Sequence, residues 1–249
     1  MIDKSSIDKL NALNLDELVD ILHQQESVAE FISMPFDQRL QFAIDDFYSV
    51  RMEQNYKRLL AKAHLKYPGA SFHSIEYLPE RNLDRNTLTQ LATGNFLNYA
   101  TDIAIFGISG SGKSFIACCL GTMACTHGRR TLFYRMPDLL SDYACIETAQ
   151  QRKRFITKLA RVDLLIIDEW LGNGLTEKEI NLIFEIVEKR TEVHSTIFCS
   201  QYAPQDWYAR LGESTQCESI LNRIFSGLCR VNCGAKNMRD HYSLSKLRI

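Results

Sequence analysis

The chain has 249 residues, which is enough for one large domain or two and for a sizeable buried core. Its apolar content of 45% and charged content of 24% are ordinary for a globular protein, and a net charge of −1 excludes a strong overall attraction to nucleic acid, so that any DNA-binding surface must be local. No apolar window approaches the length that spans a bilayer, and residues 1–6 lack the pattern of a signal peptide, so we expect a cytoplasmic protein with no membrane partner.

The N-terminal part of the chain has the pattern of helices. Apolar side chains recur at helical spacing early in this region, Pro35 interrupts the pattern, and a long helix is expected from Gln38 to about Lys66. We therefore predict a small all-helical domain over residues 1–66, which binds DNA or a partner protein. The early apolar stripe consists of Leu15, Leu18, Val19 and Leu22.

Charge divides sharply within this helical region. Residues 1–50 hold three basic side chains against ten acidic ones, a balance of −7, whereas residues 51–66 hold five against one, a balance of +4. The basic residues at helical spacing would lie along one helix face and would fit the phosphates of a DNA backbone. An ordinary solvated helix face would give the same pattern, and both interpretations stay open. The candidate DNA-binding residues here are Arg51, Arg58, Lys62 and Lys66.

An irregular segment over residues 67–86 is expected to be a linker arm, and a helix is predicted at 87–99. Strand and helix patterns then alternate to the end of the chain, and residues 87–249 are predicted to form the second domain. This alternation predicts an α/β fold in which helices flank a parallel sheet, with ligands at the carboxyl ends of the strands. The predicted strands are 102–106, 131–135, 164–168, 196–200 and 228–231.

A phosphate-binding loop follows the first predicted strand. Residues 107–114 fit the pattern G-x-x-x-x-G-K-[ST], and an apolar helix begins directly after them. Backbone N–H groups of such a loop converge on the phosphates of ATP, Lys113 would pair with the β- and γ-phosphates, and the Ser114 hydroxyl would bind Mg²⁺. The predicted ATP-binding residues in and beside the loop are Gly107, Ile108, Ser109, Gly110, Ser111, Gly112, Lys113, Ser114 and Phe115.

Two carboxylates end the apolar strand 164–168, and they complete a predicted Mg²⁺-dependent ATPase site. Asp168 would hold Mg²⁺, and Glu169 would act as the general base that polarises the attacking water. The next strand ends in Ser200 and Gln201, either of which would orient water or contact the γ-phosphate. A simple strand-end cap is the alternative for these two residues.

Several segments together carry a family resemblance. They are the helical N-terminal region, the phosphate-binding loop, the strand ending LLIIDE, and the three segments 200–207, 220–224 and 237–239. On these segments the chain resembles the IstB family, the ATPase helpers of insertion-sequence transposition, which are related to the DnaC-type helicase loaders and to DnaA within the AAA+ class. The resemblance implies a P-loop NTPase of AAA+ type that lacks a C-terminal helical lid.

The resemblance also implies roles for two arginines. Arg223 matches the arginine that related proteins place across a subunit interface as a catalytic finger, although Asn222 stands where the family usually has Asp and leaves its orientation open. Arg239 matches a sensor position that contacts ATP, and a DNA phosphate fits it nearly as well. A site completed in trans implies a head-to-tail homo-oligomer, either a ring or a filament.

A basic cluster between the second and third strands lies where DnaA-like relatives carry an added helical element facing nucleic acid. Arg152, Lys153 and Arg154 are therefore candidate DNA-binding residues, and a solvated charged helix is the alternative.

The function implied by the resemblance is that of an ATPase which assembles on duplex DNA and assists a transposase. The first alternative is a helicase loader of DnaC type that binds single-stranded DNA and a replicative helicase. A nucleotide kinase or small-molecule ATPase would need a lid with acceptor-binding arginines, which the sequence does not offer. A chain that uses ATP only as a binding switch is the remaining alternative.

Overall fold

The computed structural model describes residues 3–246, with side chains described to residue 243. The chain divides into two compact units, Met1–Arg58 and Leu59–Ile249. Within the described range, no helix combines the length and the apolar character needed to cross a membrane.

The first unit is built from helices, as expected for the N-terminal region. Helix α1 covers Lys4–Ala12, α2 covers Asp16–Ser27, α3 covers Ala29–Ser33 and α4 covers Phe36–Ala63. The Asp3 side chain caps α1 by accepting the backbone N–H of Ser6 at 2.7 Å. Pro35 separates α3 from α4 because the residue before a proline is held in an extended conformation. Val19 and Ala43 are buried, and the Gln25 side chain donates to the carbonyl of Arg39, so that α2 and α4 pack together.

The boundary between the units differs from the expected position after residue 66. Helix α4 ends at Ala63 because His64 has a left-handed backbone (φ 51°), and the division falls between Arg58 and Leu59 inside the helix. Leu59, Ala63 and Leu65 are buried, which explains why the end of α4 belongs to the second unit. An apolar run that packs on a distant segment has the same sequence pattern as one that packs on its neighbour in the chain.

The second unit contains a parallel sheet of five strands in the order β2-β3-β4-β1-β5, and the α/β expectation is confirmed. The carboxyl ends of parallel strands meet at one edge, so the loop after β1, Asp168 at the end of β3 and Ser200 at the end of β4 are neighbours. The elements are α5 (Arg85–Ala92), β1 (Ile103–Phe106), α6 (Lys113–Thr126), β2 (Thr131–Arg135), α7 (Met136–Ala144), α8 (Ala149–Arg161), β3 (Leu164–Asp168), α9 (Glu177–Arg190), β4 (Ser195–Ser200), α10 (Trp207–Leu211), α11 (Thr215–Phe225), β5 (Cys229–Asn232) and α12 (Met238–Lys246).

Helix α5 is shorter than the expected helix at 87–99. The Asp84 side chain caps its start by accepting the N–H groups of Asn86 and Thr87. Gly94, with a φ of 77°, ends the helical path, and a short 3₁₀ turn leads towards β1. Within the described part of the chain, α12 is the one helix after β5, and it has nine residues.

An aromatic cluster fixes the backbone just beyond the end of β3. Trp170 and Trp207 are fully buried, and their ring centroids lie 5.9 Å apart. The ring of Phe198 in β4 lies 4.6 Å from that of Trp170. Because Trp170 also donates its backbone N–H to the carbonyl of Cys199 at 2.8 Å, the segment carrying Glu169 is anchored against β4.

Candidate nucleotide-binding site

The loop between β1 and α6 has the conformation that its glycines permit. Gly110 and Gly112 have φ values of 80° and 96°, in the left-handed region that other residues avoid. A Cβ atom on Gly110 would collide with the side chain of Asn237, and the Gly110 carbonyl accepts the N–H of Met238 at 2.9 Å. The loop is therefore held by the C-terminal segment as well as by its own turn, and it opens into the N-terminus of α6, where partial positive charge favours phosphate.

Lys113 is the first residue of α6, and its side chain lies along the loop. Its Nζ donates to the carbonyl oxygens of Gly107 at 2.8 Å and Ile108 at 2.7 Å. Burial lowers the pKa of Lys113, and nearby Asp168 opposes this effect. The ammonium group is thus held at the mouth of the loop by carbonyls that phosphate oxygens can replace.

Asp168 and Ser114 form a compact pair of oxygen ligands beside the loop. The Ser114 hydroxyl donates to Asp168 Oδ2 at 2.7 Å, while Asp168 Oδ1 accepts the backbone N–H of Glu169 at 3.0 Å. Asp168 is only 3% exposed, and its one cationic neighbour among the described ion pairs is Lys66, at 4.0 Å. Mg²⁺ commonly takes one or two protein oxygens together with phosphate and water oxygens, so this pair fits that ion.

Glu169 lies next to Asp168 but has a different environment. Its backbone is left-handed (φ 61°), and its side chain is 41% exposed. Arg135, at the end of β2, donates Nε to Oε1 at 3.1 Å and Nη2 to Oε2 at 2.9 Å. Hydrogen bonding to Glu169 raises the pKa of Arg135, and the two parallel bonds fix the orientation of the carboxylate. The general base predicted from the sequence is thus held by a partner that the sequence analysis missed.

The expected linker arm forms a wall of the site. A cavity of about 440 Å³ lies over the loop. The arm contains two 3₁₀ turns, at Phe72–Ser74 and Pro79–Arg81, and it buries Ala70, Ile75 and Arg81. The segment is therefore a packed part of the nucleotide-binding unit. From outside the loop and strand ends, the cavity is lined by Lys66, Tyr67, Ser74, Ile75, Arg81, Met238, Arg239 and Tyr242.

Arg81 is a site residue that the sequence analysis missed. Its guanidinium donates to the carbonyl of Glu76 at 2.6 Å and to the carbonyl of Ser111, within the phosphate-binding loop, at 3.0 Å. The side chain is almost fully buried, and a Cβ atom on Gly234 would collide with the Arg81 carbonyl. Arg81 therefore joins the arm, the loop and the segment after β5. No local pattern marks it, because its partners are distant in the chain.

Ser200 does not line the cavity, in contrast to its predicted contact with ATP. It is fully buried, its hydroxyl donates to the carbonyl of Trp170 at 2.8 Å, and it accepts the N–H of Tyr202 at 3.2 Å. Both bonds fasten the end of β4 to neighbouring backbone, which is a structural role. Gln201, the alternative considered from the sequence, lines the cavity instead.

The two arginines implied by the family resemblance lie in different places. Arg239 lines the cavity, which favours ATP over DNA as its contact. Arg223, on α11, is not among the cavity-lining residues. Its Nη1 donates to the carbonyl of Ser219 at 3.1 Å, and its Nη2 lies 3.7 Å from Glu188. Arg223 therefore does not contact the nucleotide site of its own chain.

Two of the predicted DNA-binding residues have partners within the first unit. Arg51 lies 3.0 Å from Glu17 in an ion pair and also donates to the carbonyl of Asn14. Arg58 donates to the side chain of Asn55 at 2.8 Å. The Arg51 charge is consequently neutralised by a neighbouring helix, which weakens its case as a phosphate contact.

The expected basic stripe does not continue along a helix to Lys66. The left-handed His64 ends the helical path at Ala63, and Lys66 lies beyond it. Lys66 lines the nucleotide cavity and stacks over the ring of Tyr67 at 5.7 Å. It is a nucleotide-site cation, whereas Lys62 is exposed in the last turn of α4.

The basic cluster predicted between the second and third strands lies on α8. Arg152, Lys153 and Arg154 are all exposed, and Arg152 donates Nε to the carbonyl of Ile146 at 3.0 Å. Lys153 and Arg154, with Lys158 and Arg161 of later turns, line a shallow groove of about 470 Å³. Four cations thus converge on one surface of this helix.

Comparison with known proteins decides the family. The family model described as IstB-like ATP binding protein matches residues 8–245. The chain belongs to this family. The resemblance drawn from the sequence is therefore confirmed, and the phosphate-binding loop is that of an IstB-like ATP-binding protein.

Two relatives are named for insertion sequences. The insertion sequence ATP-binding protein y4pL of Sinorhizobium fredii (strain NBRC 101917 / NGR234) is 29% identical over 96% of this chain and 97% of its own length. The IS1162 ATP-binding protein of Pseudomonas fluorescens is 30% identical over 81% of this chain and 87% of its own length.

Two solved structures share the fold of this chain. AMPPCP-bound DnaA from Aquifex aeolicus has a TM-score of 0.59 at 18% identity. The match covers 75% of this chain and 57% of the DnaA chain. The DnaC helicase loader has a TM-score of 0.53 at 18% identity. The match covers 67% of this chain and 98% of the DnaC chain. At such identities the likeness establishes the fold alone.

Replacing Arg81 with alanine should weaken nucleotide binding at least about ten-fold, because two charge-assisted bonds that hold the loop and the arm are lost. Titration with a fluorescent ATP analogue would measure this. Arg230→Ala, which removes an exposed arginine of β5, is the matched control and should bind as the wild type does. Wild-type affinity in Arg81→Ala would contradict the assignment, provided that circular dichroism shows both variants folded.

Proposed function

We propose that this protein is an Mg²⁺-dependent ATPase that assembles on duplex DNA and assists a transposase in insertion-sequence transposition. The observation that carries the proposal is the Ser114–Asp168 pair at 2.7 Å beside a phosphate-binding loop, with Glu169 next to it. Two relatives named for insertion sequences, matched over most of their length, support the biological setting. A helicase-loader function is less favoured, because the loader likeness is one of fold.

The residues of the site divide the work of hydrolysis. Lys113 exchanges its two carbonyl partners for β- and γ-phosphate oxygens. Ser114 and Asp168 hold Mg²⁺, which when bound neutralises charge on the phosphates. Glu169 accepts a proton from the attacking water, while Gln201 and Arg239, which line the same cavity, contact the γ-phosphate side.

Arg135 controls when Glu169 can act as a base. Each carboxylate oxygen accepts one bond from the guanidinium, which leaves a lone pair on each oxygen but ties the carboxylate to Arg135 and away from a water molecule at the phosphate. The pair is partly exposed, so its separation costs little in free energy. We infer that hydrolysis is slow in the isolated chain and rises when a partner or a neighbouring subunit draws Arg135 away.

Arg223 completes the site of a neighbouring subunit in this proposal. Because it lies outside its own cavity, it can contact ATP only in another chain, and a contact of that kind is head-to-tail. Repetition of the contact gives a ring or a filament, and ATP bound at each interface couples nucleotide state to assembly on DNA. The α8 groove supplies a surface for the DNA phosphates.

In the assembly on duplex DNA, where Arg135 has released Glu169 in this proposal, Glu169→Gln should retain ATP binding but lower turnover at least about 100-fold, since general base catalysis contributes that much in typical enzymes. Turnover would be followed by phosphate release, and affinity by titration with an ATP analogue. Lys113→Ala is the matched control and should lose binding itself. Unchanged turnover in Glu169→Gln would remove Glu169 as the base.

Mixing two inactive variants tests whether Arg223 completes the nucleotide site of a neighbouring subunit. Lys113→Ala subunits keep Arg223, and Arg223→Ala subunits keep the nucleotide site, so the mixture regains activity that neither variant has alone. Random association at equal concentrations restores about one interface in four. Phosphate release from the mixture is the measurement. A mixture as inactive as its components would exclude a finger supplied by the neighbour.

Neutralising Lys153, Arg154 and Lys158 together, each to Gln, should weaken binding to duplex DNA. The slope of log affinity against log salt concentration should also become shallower by up to about 2.7, because each lost phosphate contact removes about 0.9 from the slope. Fluorescence anisotropy with labelled duplex would measure this at several salt concentrations. The control is Lys178→Gln with Lys189→Gln on α9, which should leave the slope unchanged. An unaltered slope in the α8 variant would make this face an ordinary solvated one.

A further inference from the structure

An exposed apolar row runs along the first unit and has no part in the nucleotide site. Phe36 is 76% exposed and Tyr48 is 64% exposed, both on α4. Leu40 and Ile44, which are also exposed, stand between them at every fourth position of the same helix, a spacing that places neighbouring side chains on the same side. The row consists of Phe36, Leu40, Ile44 and Tyr48 on α4, and the exposed Ile32 precedes it on α3.

This row lies outside the packed core of the unit. Helix α4 buries Ala43 and ties its backbone to α2 through the carbonyl of Arg39, so the helix already has an inward face. Phe42, half exposed, contacts the ring of Phe31 and, at two residues from Leu40 and from Ile44, lies on another side of α4. A contiguous exposed patch of large apolar side chains marks an interaction site, whereas single exposed residues need no explanation.

Acidic side chains border the row. Between residues 28 and 48 there are four acidic residues against one basic residue, Arg39, and the whole stretch 1–50 carries a balance of −7. Two copies of such a surface would repel each other, which disfavours a contact between identical chains. The combination suits a helix that offers apolar side chains on one face and cations at its edges. Asp37 and Asp45 each directly follow a residue of the row, and the other two acidic residues are Glu30 and Asp46.

We propose that this apolar row is the docking site for a basic amphipathic helix of a protein partner. Phe36 and Ile44 pack between the apolar side chains of that helix, as buried aromatic and aliphatic anchors do in other interfaces. Asp37 and Asp45 pair with its lysines or arginines. The identification of this partner as the transposase rests on the proposed function, but the chemistry of the surface does not.

The first test uses the full chain and a labelled 18-residue peptide of leucine and lysine with the lysines on one helical face. We expect Phe36→Ser with Ile44→Ser to bind it at least ten-fold more weakly than the wild type. Tyr99→Ser, which removes another exposed aromatic side chain, is the control and should bind normally. A peptide of the same composition in scrambled order should not bind. Asp37→Asn with Asp45→Asn should reduce the salt dependence of binding.

Equal peptide binding by the row variant and the wild type would overturn the proposal. So would a smaller oligomer of the Phe36→Ser, Ile44→Ser variant in sedimentation without peptide, since the row would then be a contact between copies. ATP turnover and duplex binding should be unchanged in this variant. The ATPase proposal is therefore tested separately, because its failure would be an absence of ATP turnover in the wild-type chain.

A second test uses the purified transposase of the same insertion sequence. Its binding should fall at least ten-fold in the Phe36→Ser, Ile44→Ser variant and remain normal in Tyr99→Ser. Transposase binding that is unaffected by the row variant would overturn the proposal. If the transposase does not bind the wild-type chain while the peptide still binds through the row, the docking surface stands and the transposase function fails.

Discussion

The junction at Arg81 is the constraint on which the nucleotide site depends. One guanidinium bonds the arm through Glu76 and the phosphate-binding loop through Ser111, and the backbone of the same residue packs against Gly234. Three segments distant in the chain are fixed by this buried charge, whose loss would leave buried carbonyls without donors. Because the arm and the C-terminal segment both line the cavity, the junction sets its shape as well as the shape of the loop.

The two neighbouring carboxylates of the site owe their different roles to their surroundings. Asp168 is buried and bonded to a hydroxyl and a backbone N–H, an arrangement that keeps it fixed for a metal ion. Glu169 extends from a left-handed backbone into a partly exposed ion pair with Arg135, an arrangement that can open. The left-handed backbone is anchored by the aromatic cluster around Trp170. In the proposed mechanism, regulation of hydrolysis therefore needs only the separation of the Glu169–Arg135 pair.

Local sequence patterns predicted the sheet, the loop and the Asp168–Glu169 dipeptide, because a strand, a glycine-rich turn and a helix start each depend on neighbouring residues. They did not predict the burial of Ser200, the position of Lys66 or the role of Arg81. Each of these depends on contacts with distant segments, such as the carbonyl of Trp170 for Ser200 and the carboxylate of Asp168 for Lys66. Whether an apolar run packs within its own domain is equally a tertiary question, which is why the boundary at Leu59 differed from expectation.

The proposed binding surfaces of the two units carry charge of opposite sign, and this difference fits the partners that we propose for them. A basic groove on α8 suits a polyanion, and an acidic border around exposed apolar side chains repels one. DNA is therefore directed away from the apolar row by charge alone, and a basic protein helix is directed away from α8. Because the two surfaces carry charge of opposite sign, DNA at the α8 groove would not compete with a basic protein helix for the apolar row. The proposed function, in which the protein holds DNA and recruits a basic DNA-binding partner at the same time, uses this difference in charge to keep the two partners on separate surfaces.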